Sequence, residues 1–158
     1  MIWIDGAARG NPGPASAAGV IKQGADIVAE WGVPLGNRTN NEAEYSGLLL
    51  ALYWLQQFLP NAEGVIHSDS QLLVEQTIGR WKVKADNLQP FHREAQWLIH
   101  QIPGIKLTAV RREKNKAADA LANRALDEHR VVVSDDYLPF VKTVLVKLPF
   151  TASQYTIF

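Results

Sequence analysis

Apolar residues recur along the chain first in short runs and then at helical spacing, and the change of rhythm predicts the elements. Met1–Asp5 is a short apolar run ending at Gly6 and reads as a buried strand. Ala15–Lys22 and Ile27–Pro34 are two further β-prone runs, and Gln23-Gly24-Ala25-Asp26 between them supplies a hairpin turn. These three strands are expected to form an antiparallel meander. Gly6–Pro14, with three glycines, two prolines and Asn11, reads as a loop. From Asn40 or Asn41, taken as the helix cap, the period lengthens. Leu48, Leu52, Leu55 and Leu59 form one helical stripe with Ala51 beside it, and Pro60 stops the helix.

Val65–Ser68 predicts a strand and Ser70–Ile78 a short helix, followed by an irregular basic stretch over Gly79–Asn87. Pro90–Ile102 predicts a helix, Ile105–Val110 a strand, and Asn115–His129 an alanine-rich helix capped by Asn115. A meander followed by alternating strands and helices implies an α/β fold. Its five-stranded mixed sheet has the first, fourth and fifth strands parallel, flanked by helices. Residues 1–129 make one domain on this reading. Residues 130–158 form an extension that is not an independent domain. Its β-prone pieces, Val131–Val133, Val141–Leu148 and Tyr155–Phe158, are expected to cover a sheet edge or pair with another chain.

Composition removes several classes of function. With 158 residues, 47% of them hydrophobic and 20% charged, the chain is an ordinary globular one. It has no cysteine, which excludes disulfides, thiolate zinc sites and cysteine nucleophiles. The apolar stretch Leu48–Leu55 is too short to span a membrane, and Met1–Asp5 lacks the pattern of a signal peptide. A soluble, cytoplasmic monomer is the expectation. Sixteen basic and sixteen acidic residues cancel, so any affinity for nucleic acid must rest on local patches. The best such patch is Gly79-Arg80-Trp81-Lys82-Val83-Lys84, where Trp81 offers a stacking surface and Lys82 and Lys84 neutralise phosphates.

Four acids stand where chemistry is expected. Asp5 and Asp69 end predicted strands, and the carboxyl ends of parallel strands are where open α/β sheets build sites. Glu44 falls in line with the Leu48–Leu52–Leu55 stripe and points inward, whereas Glu42 falls off it and is expected in solvent. Asp119 lies in the first turn of the last long helix, where an acid is favourable with no further role. Buried carboxylates without cations repel one another. Four converging acids therefore suggest divalent metal, and oxygen-only ligands suit Mg²⁺ or Mn²⁺ rather than zinc. A metal pair about 3.5–4 Å apart serves in-line attack on a phosphodiester.

These residues stand in a recognisable series. Asp5-Gly6-Ala7-Ala8-Arg9-Gly10-Asn11-Pro12-Gly13-Pro14 resembles the first-strand signature of type 1 ribonuclease H. Thr39-Asn40-Asn41-Glu42-Ala43-Glu44 resembles its helix motif, Ser68-Asp69-Ser70-Gln71 its third motif, and Arg112-Glu113-Lys114-Asn115-Lys116-Ala117-Ala118-Asp119 its fourth. The resemblance covers residues 1–128. It implies a ribonuclease H-like fold and endonucleolytic hydrolysis of the RNA strand of RNA–DNA hybrids. It also implies a Mg²⁺ or Mn²⁺ pair held by Asp5, Glu44, Asp69 and Asp119. Asn11, Asn41 and Gln71 occupy positions that touch the minor groove, Gly6 and Asn11 lie near ribose hydroxyls, and Thr39 matches a position that binds a DNA-strand phosphate. Asn11 also serves as a turn residue and Thr39 as a cap on a purely structural reading.

Two departures from the family accompany the likeness. The loop Ala109-Val110-Arg111-Arg112-Glu113 has no histidine where many bacterial members carry one. Arg112-Glu113-Lys114-Asn115 is closer to the archaeal-like branch, with Arg111 or Arg112 expected to bind the scissile phosphate. The basic protrusion of some members is also missing. The last five residues, Gln154-Tyr155-Thr156-Ile157-Phe158, resemble a sliding-clamp-binding peptide, with Ile157 and Phe158 as apolar anchors and Gln154 at the rim. Two alternatives compete with the ribonuclease reading: another nuclease of the same fold, and a non-catalytic module that binds hybrid or double-stranded RNA.

Overall fold

A computed structural model describes residues 1–150, so the clamp-like residues Gln154, Ile157 and Phe158 and the β-prone Tyr155–Phe158 lie outside the described residues. The strands are β1 (Ile2–Ala8), β2 (Gly13–Gln23), β3 (Asp26–Arg38), β4 (Gly64–Ser68), β5 (Ile105–Ala109) and β6 (Val132–Val133). They form one six-stranded sheet in the order β5-β4-β1-β2-β3-β6. β4 runs parallel to both β1 and β5, while β1–β2, β2–β3 and β3–β6 are antiparallel. The sixth strand is the one the sequence reading did not count in the sheet. Val133 and Val132 pair with Trp31 and Gly32 on the outer edge of β3.

β1 also outruns its expected end. The glycine-rich segment was expected to leave the sheet at Gly6, but Gly6, Ala7 and Ala8 continue the ladder against Ala17, Ser16 and Ala15. The ladder bonds are made by the main chain and need no large side chain when a partner strand is present, so only Arg9–Pro12 turns between β1 and β2. Asp5 is thus a mid-strand residue of β1. Its place at the site comes from β4, which stops at Ser68. The parallel register pairs Ile4 with Ser68, so one step further sets Asp5 beside Asp69.

The helices are α1 (Asn40–Phe58), α2 (Gln71–Thr77), α3 (Gln89–Gln101), α4 (Lys116–Glu128) and α5 (Leu138–Leu145). Strand alternation sends Ile2, Ile4 and Gly6 of β1 toward α1. Ser16, on the opposite face, donates from its hydroxyl to the Ala122 carbonyl of α4 at 2.7 Å. The central helix is buried from Ala43 through Leu55. It is sandwiched between the sheet and a layer that includes α3 and α5.

Four local expectations are corrected. Thr39, not Asn40 or Asn41, caps α1: its hydroxyl accepts from the Glu42 N–H, and the Glu42 carboxylate accepts from the Thr39 N–H. Glu42 is therefore a half-buried member of a capping box rather than a solvated acid. Asn115 stands at the start of α4 but its side chain makes no cap bond. Val141–Leu148, expected as strand, lies largely in α5, where Phe140, Val141, Val144 and Leu145, with Leu148 just beyond the helix, turn one apolar stripe into the core. Their spacing of one, three and four is helical, Pro139 suits the first turn, and packing on α1 outweighs the β preference of valine. Phe58 and Tyr137 meet Trp54 in an aromatic cluster there, and Phe140 stacks edge-on against Phe58.

No helix among the described residues is long and apolar enough to cross a membrane.

Candidate active site

Two glycines bring α1 against the sheet. A Cβ on Gly6 would lie 2.3 Å from the backbone of Ala43 and Glu44, and one on Gly47 would lie 2.8 Å from the Asp5 carbonyl oxygen. Backbone therefore rests on backbone, and Glu44 is carried to the middle of β1. We expect Gly6→Ala to destabilise the fold by about 3 kcal/mol, because the added methyl meets main chain that cannot rotate away. Urea unfolding checks this, and an unchanged midpoint would refute it.

Carboxylate oxygens of Asp5, Glu44 and Asp69 lie within 4.8 Å of one another. Asp5 and Glu44 are each only 4% exposed, and Asp69 is half-buried. Asp119, on the first turn of α4, approaches the group through Asp5, side chain to side chain. All four acids named from the sequence are thus brought together beside the middle of β1, where β4 ends.

The electrostatics follow from that crowding. Burial first, then the charges of Asp69 and Asp119, push the Asp5 carboxyl up to about 7. Burial raises Glu44 as well, reinforced by Asp5 and Asp69 and opposed by the Gly6 N–H that donates to it. No ion pair among the described residues involves any of the four. Glu44 Oε2 is buried without a hydrogen-bond partner. Repelling oxygens and an orphaned acceptor are the environment a divalent cation satisfies, so the residues present fit such an ion.

The remaining named residues are distributed around this centre. Asn11, in the β1–β2 turn, accepts from the Asn40 N–H at 3.0 Å, which fastens the turn to the start of α1. Thr39 uses its oxygen as the cap and keeps its O–H to donate. Asn41 lines a groove of about 600 Å³ with Gln76, Arg80, Trp81, Lys82 and Lys84. Trp81 is 46% exposed there. Gln71 opens α2, exposed, two residues after Asp69. Arg111 and Arg112 are exposed in the turn before α4. Gly6 is packed against α1.

Sequence reasoning missed Gln76, whose buried side chain accepts from the Tyr45 hydroxyl at 2.7 Å and forms part of the groove floor. It lies on the inward face of a helix too short to show a period. None of the four histidines belongs to the acidic group. His67 instead stacks on Trp3, with ring centroids 5.2 Å apart.

Comparison with known proteins agrees with this architecture. The family model described as reverse transcriptase-like matches residues 4–125. The Bifunctional protein Rv2228c of Mycobacterium tuberculosis is 41% identical over 129 residues, which cover 80% of this chain and 35% of that protein. Ribonuclease HI of Halobacterium salinarum is 41% identical over 128 residues, covering 80% of this chain and 63% of that protein. The chain thus spans about a third of the mycobacterial relative and under two thirds of the archaeal one. The crystal structure of LC11-RNase H1 in complex with RNA/DNA hybrid superposes with a TM-score of 0.76 at 36% identity, covering 80% of this chain and 96% of that one. Motif order, sheet topology and these likenesses lead to one assignment: the chain belongs to the type 1 ribonuclease H family.

Proposed function

We propose that the chain is an endonuclease that hydrolyses the RNA strand of RNA–DNA hybrids with a pair of divalent cations, Mg²⁺ or Mn²⁺. The observation that carries this reading is the convergence of Asp5, Glu44 and Asp69 within 4.8 Å, with Glu44 Oε2 buried and unpartnered. Its substrate class is supported by the ribonuclease H names of the relatives and by the hybrid bound to LC11-RNase H1.

Asp5, Glu44, Asp69 and Asp119 would hold the cations. When bound, these would supply the Lewis acidity that activates water and stabilises charge on the departing oxygen. The protein supplies the rest. Asn41 and Gln71 offer amides, which both donate and accept, to a minor groove that displays 2′-hydroxyls. Lys82 and Lys84 neutralise phosphates beside the Trp81 ring, and the Thr39 hydroxyl donates to a phosphate at the root of α1. Arg111 or Arg112 clamps the phosphate under attack through a planar fork of donors. Products are a 5′-phosphate and a 3′-hydroxyl.

The test is cleavage of a labelled hybrid with Mg²⁺, Mn²⁺ or EDTA, with single-stranded RNA and double-stranded DNA in parallel. Metal-dependent cutting of the hybrid's RNA strand alone, lost in Asp69→Asn, is the expected result. Tight hybrid binding without cutting under either metal would replace the enzyme with a binding module.

A further inference from the structure

We propose that Asn115 is a positioning residue that sets the separation of Asp5 and Asp119, and through it the affinity of the acidic group for divalent cations. This inference rests on the metal-dependent reading above. Asn115 is 1% exposed, yet its side chain gives up the helix-cap bond that its position offers. It reaches across the sheet instead: Nδ2 donates to the Ile4 carbonyl at 2.8 Å, a contact between residues 111 apart in sequence. Ile4 is the residue before Asp5. The Asn115 carbonyl accepts the Asp119 N–H at 3.1 Å. One residue therefore grips the backbone beside one acid with its side chain and the backbone of the other acid with its main chain.

The arrangement is costly in a way that a purely structural link does not require. Asn115 Oδ1 is buried with no hydrogen-bond partner, so the amide is present for its donor at the expense of its acceptor. An ordinary cap would satisfy both the oxygen and an orphan N–H of α4. The bond that is made spans from the loop before α4 to the centre of β1, and among the described residues no side chain of α4 itself hydrogen-bonds to that strand's backbone. Groups that hold metal ligands in place, without touching the metal, ordinarily tune affinity by about 10–100-fold.

Mn²⁺ binding to the protein without nucleic acid, followed by calorimetry, tests this in wild type, Asn115→Ala, Asn115→Leu and Gln96→Ala. Asn115→Leu keeps the branched shape and the number of heavy atoms and removes both the donor and the unpartnered oxygen, so it serves if the alanine variant does not fold. Gln96→Ala breaks a comparable side-chain bond, Gln96 Nε2 to the Thr77 carbonyl at 2.7 Å, in a part of the fold remote from β1. The expected result is Mn²⁺ affinity weakened about tenfold or more in either Asn115 variant and unchanged in Gln96→Ala. The Mn²⁺ concentration for half-maximal hybrid cleavage should rise in step, with the hybrid KM at saturating metal unmoved. Affinity within about twofold of wild type in the Asn115 variants, or equal weakening in Gln96→Ala, would overturn the proposal. A wild-type protein that binds Mn²⁺ but cuts no hybrid would overturn the nuclease reading alone, and the calorimetry would still decide the role of Asn115.

Discussion

Asp5→Asn is expected to abolish hybrid cleavage and, in the absence of metal, to make the protein more stable at pH 8. The two effects have one origin. Asp5 is pushed up to about 7 by burial and by the charges of Asp69 and Asp119. A carboxyl whose native value lies above its unfolded one binds more protons in the native state between them. Stability of the metal-free protein therefore falls as pH rises from about 4 to about 7, and the full penalty is present above that window. The shift corresponds to a few kcal/mol at most, shared among coupled acids. Replacing the charge with an amide should recover on the order of 2 kcal/mol at pH 8, about 4–8 °C in thermal midpoint. At pH 4 the gain should vanish. On the proposed mechanism the same charge would hold the cations, so cleavage should drop about a thousandfold, equivalent to about 4 kcal/mol of transition-state stabilisation. Calorimetry in EDTA at the two pH values, beside a cleavage assay, reads both. Equal midpoints at pH 8 would show that the acidic cluster is not under electrostatic strain.

Truncation after His129 is expected to destabilise the domain by about 4 kcal/mol or more, lowering the thermal midpoint by about 10 °C. Residues 130–150 bury Phe140, Val141, Val144, Leu145 and Leu148 in the common core. They also shield Trp54 on the outer side of α1, with Tyr137 edge-on to that ring. Phe150 goes further. Its ring lies 3.6 Å under the Arg38 guanidinium and packs edge-on against Phe91. Ordering the extension costs backbone entropy, so only the surplus of burial over ordering is lost on truncation. Losing β6 would also bare the edge of β3 at Trp31 and Gly32. A truncated protein that melts within about 2 °C of the full chain would show that the extension merely rests on a complete core.

Much of this molecule is legible in its sequence where one residue answers to one strong rule. Asp69 is found because β4 ends there, and Glu44 because it shares a helical row with leucines that must face the core. Parallel β1 and β4 follow from the helix between them, and adjacency then brings Asp5 and Asp69 together. The failures occur where two rules compete. Thr39, Asn40 and Asn41 are all acceptable caps, and the winner is decided by Glu42 three residues beyond Thr39. Glu42 escapes a stripe argument, which sees only the core and not a reciprocal cap. Val141–Leu148 satisfies β propensity and helical spacing at once, and the exposed aromatic edge of α1 settles the contest. Asn115 has the right identity and place for a cap, and nothing local reveals that a strand carbonyl 111 residues earlier claims its amide.

The bare contact of α1 with β1 has an evolutionary corollary. Most catalytic distances in proteins can drift, since a methylene gained or lost nearby nudges a helix by fractions of an ångström. At Gly6 and Gly47 there is no side chain to lengthen or shorten, and main-chain thickness alone fixes how near Glu44 comes to Asp5. The spacing behaves like a mechanical stop rather than an adjustable screw. Descendants of this sequence can vary what surrounds the acids, but the gauge between these two is inherited whole or lost.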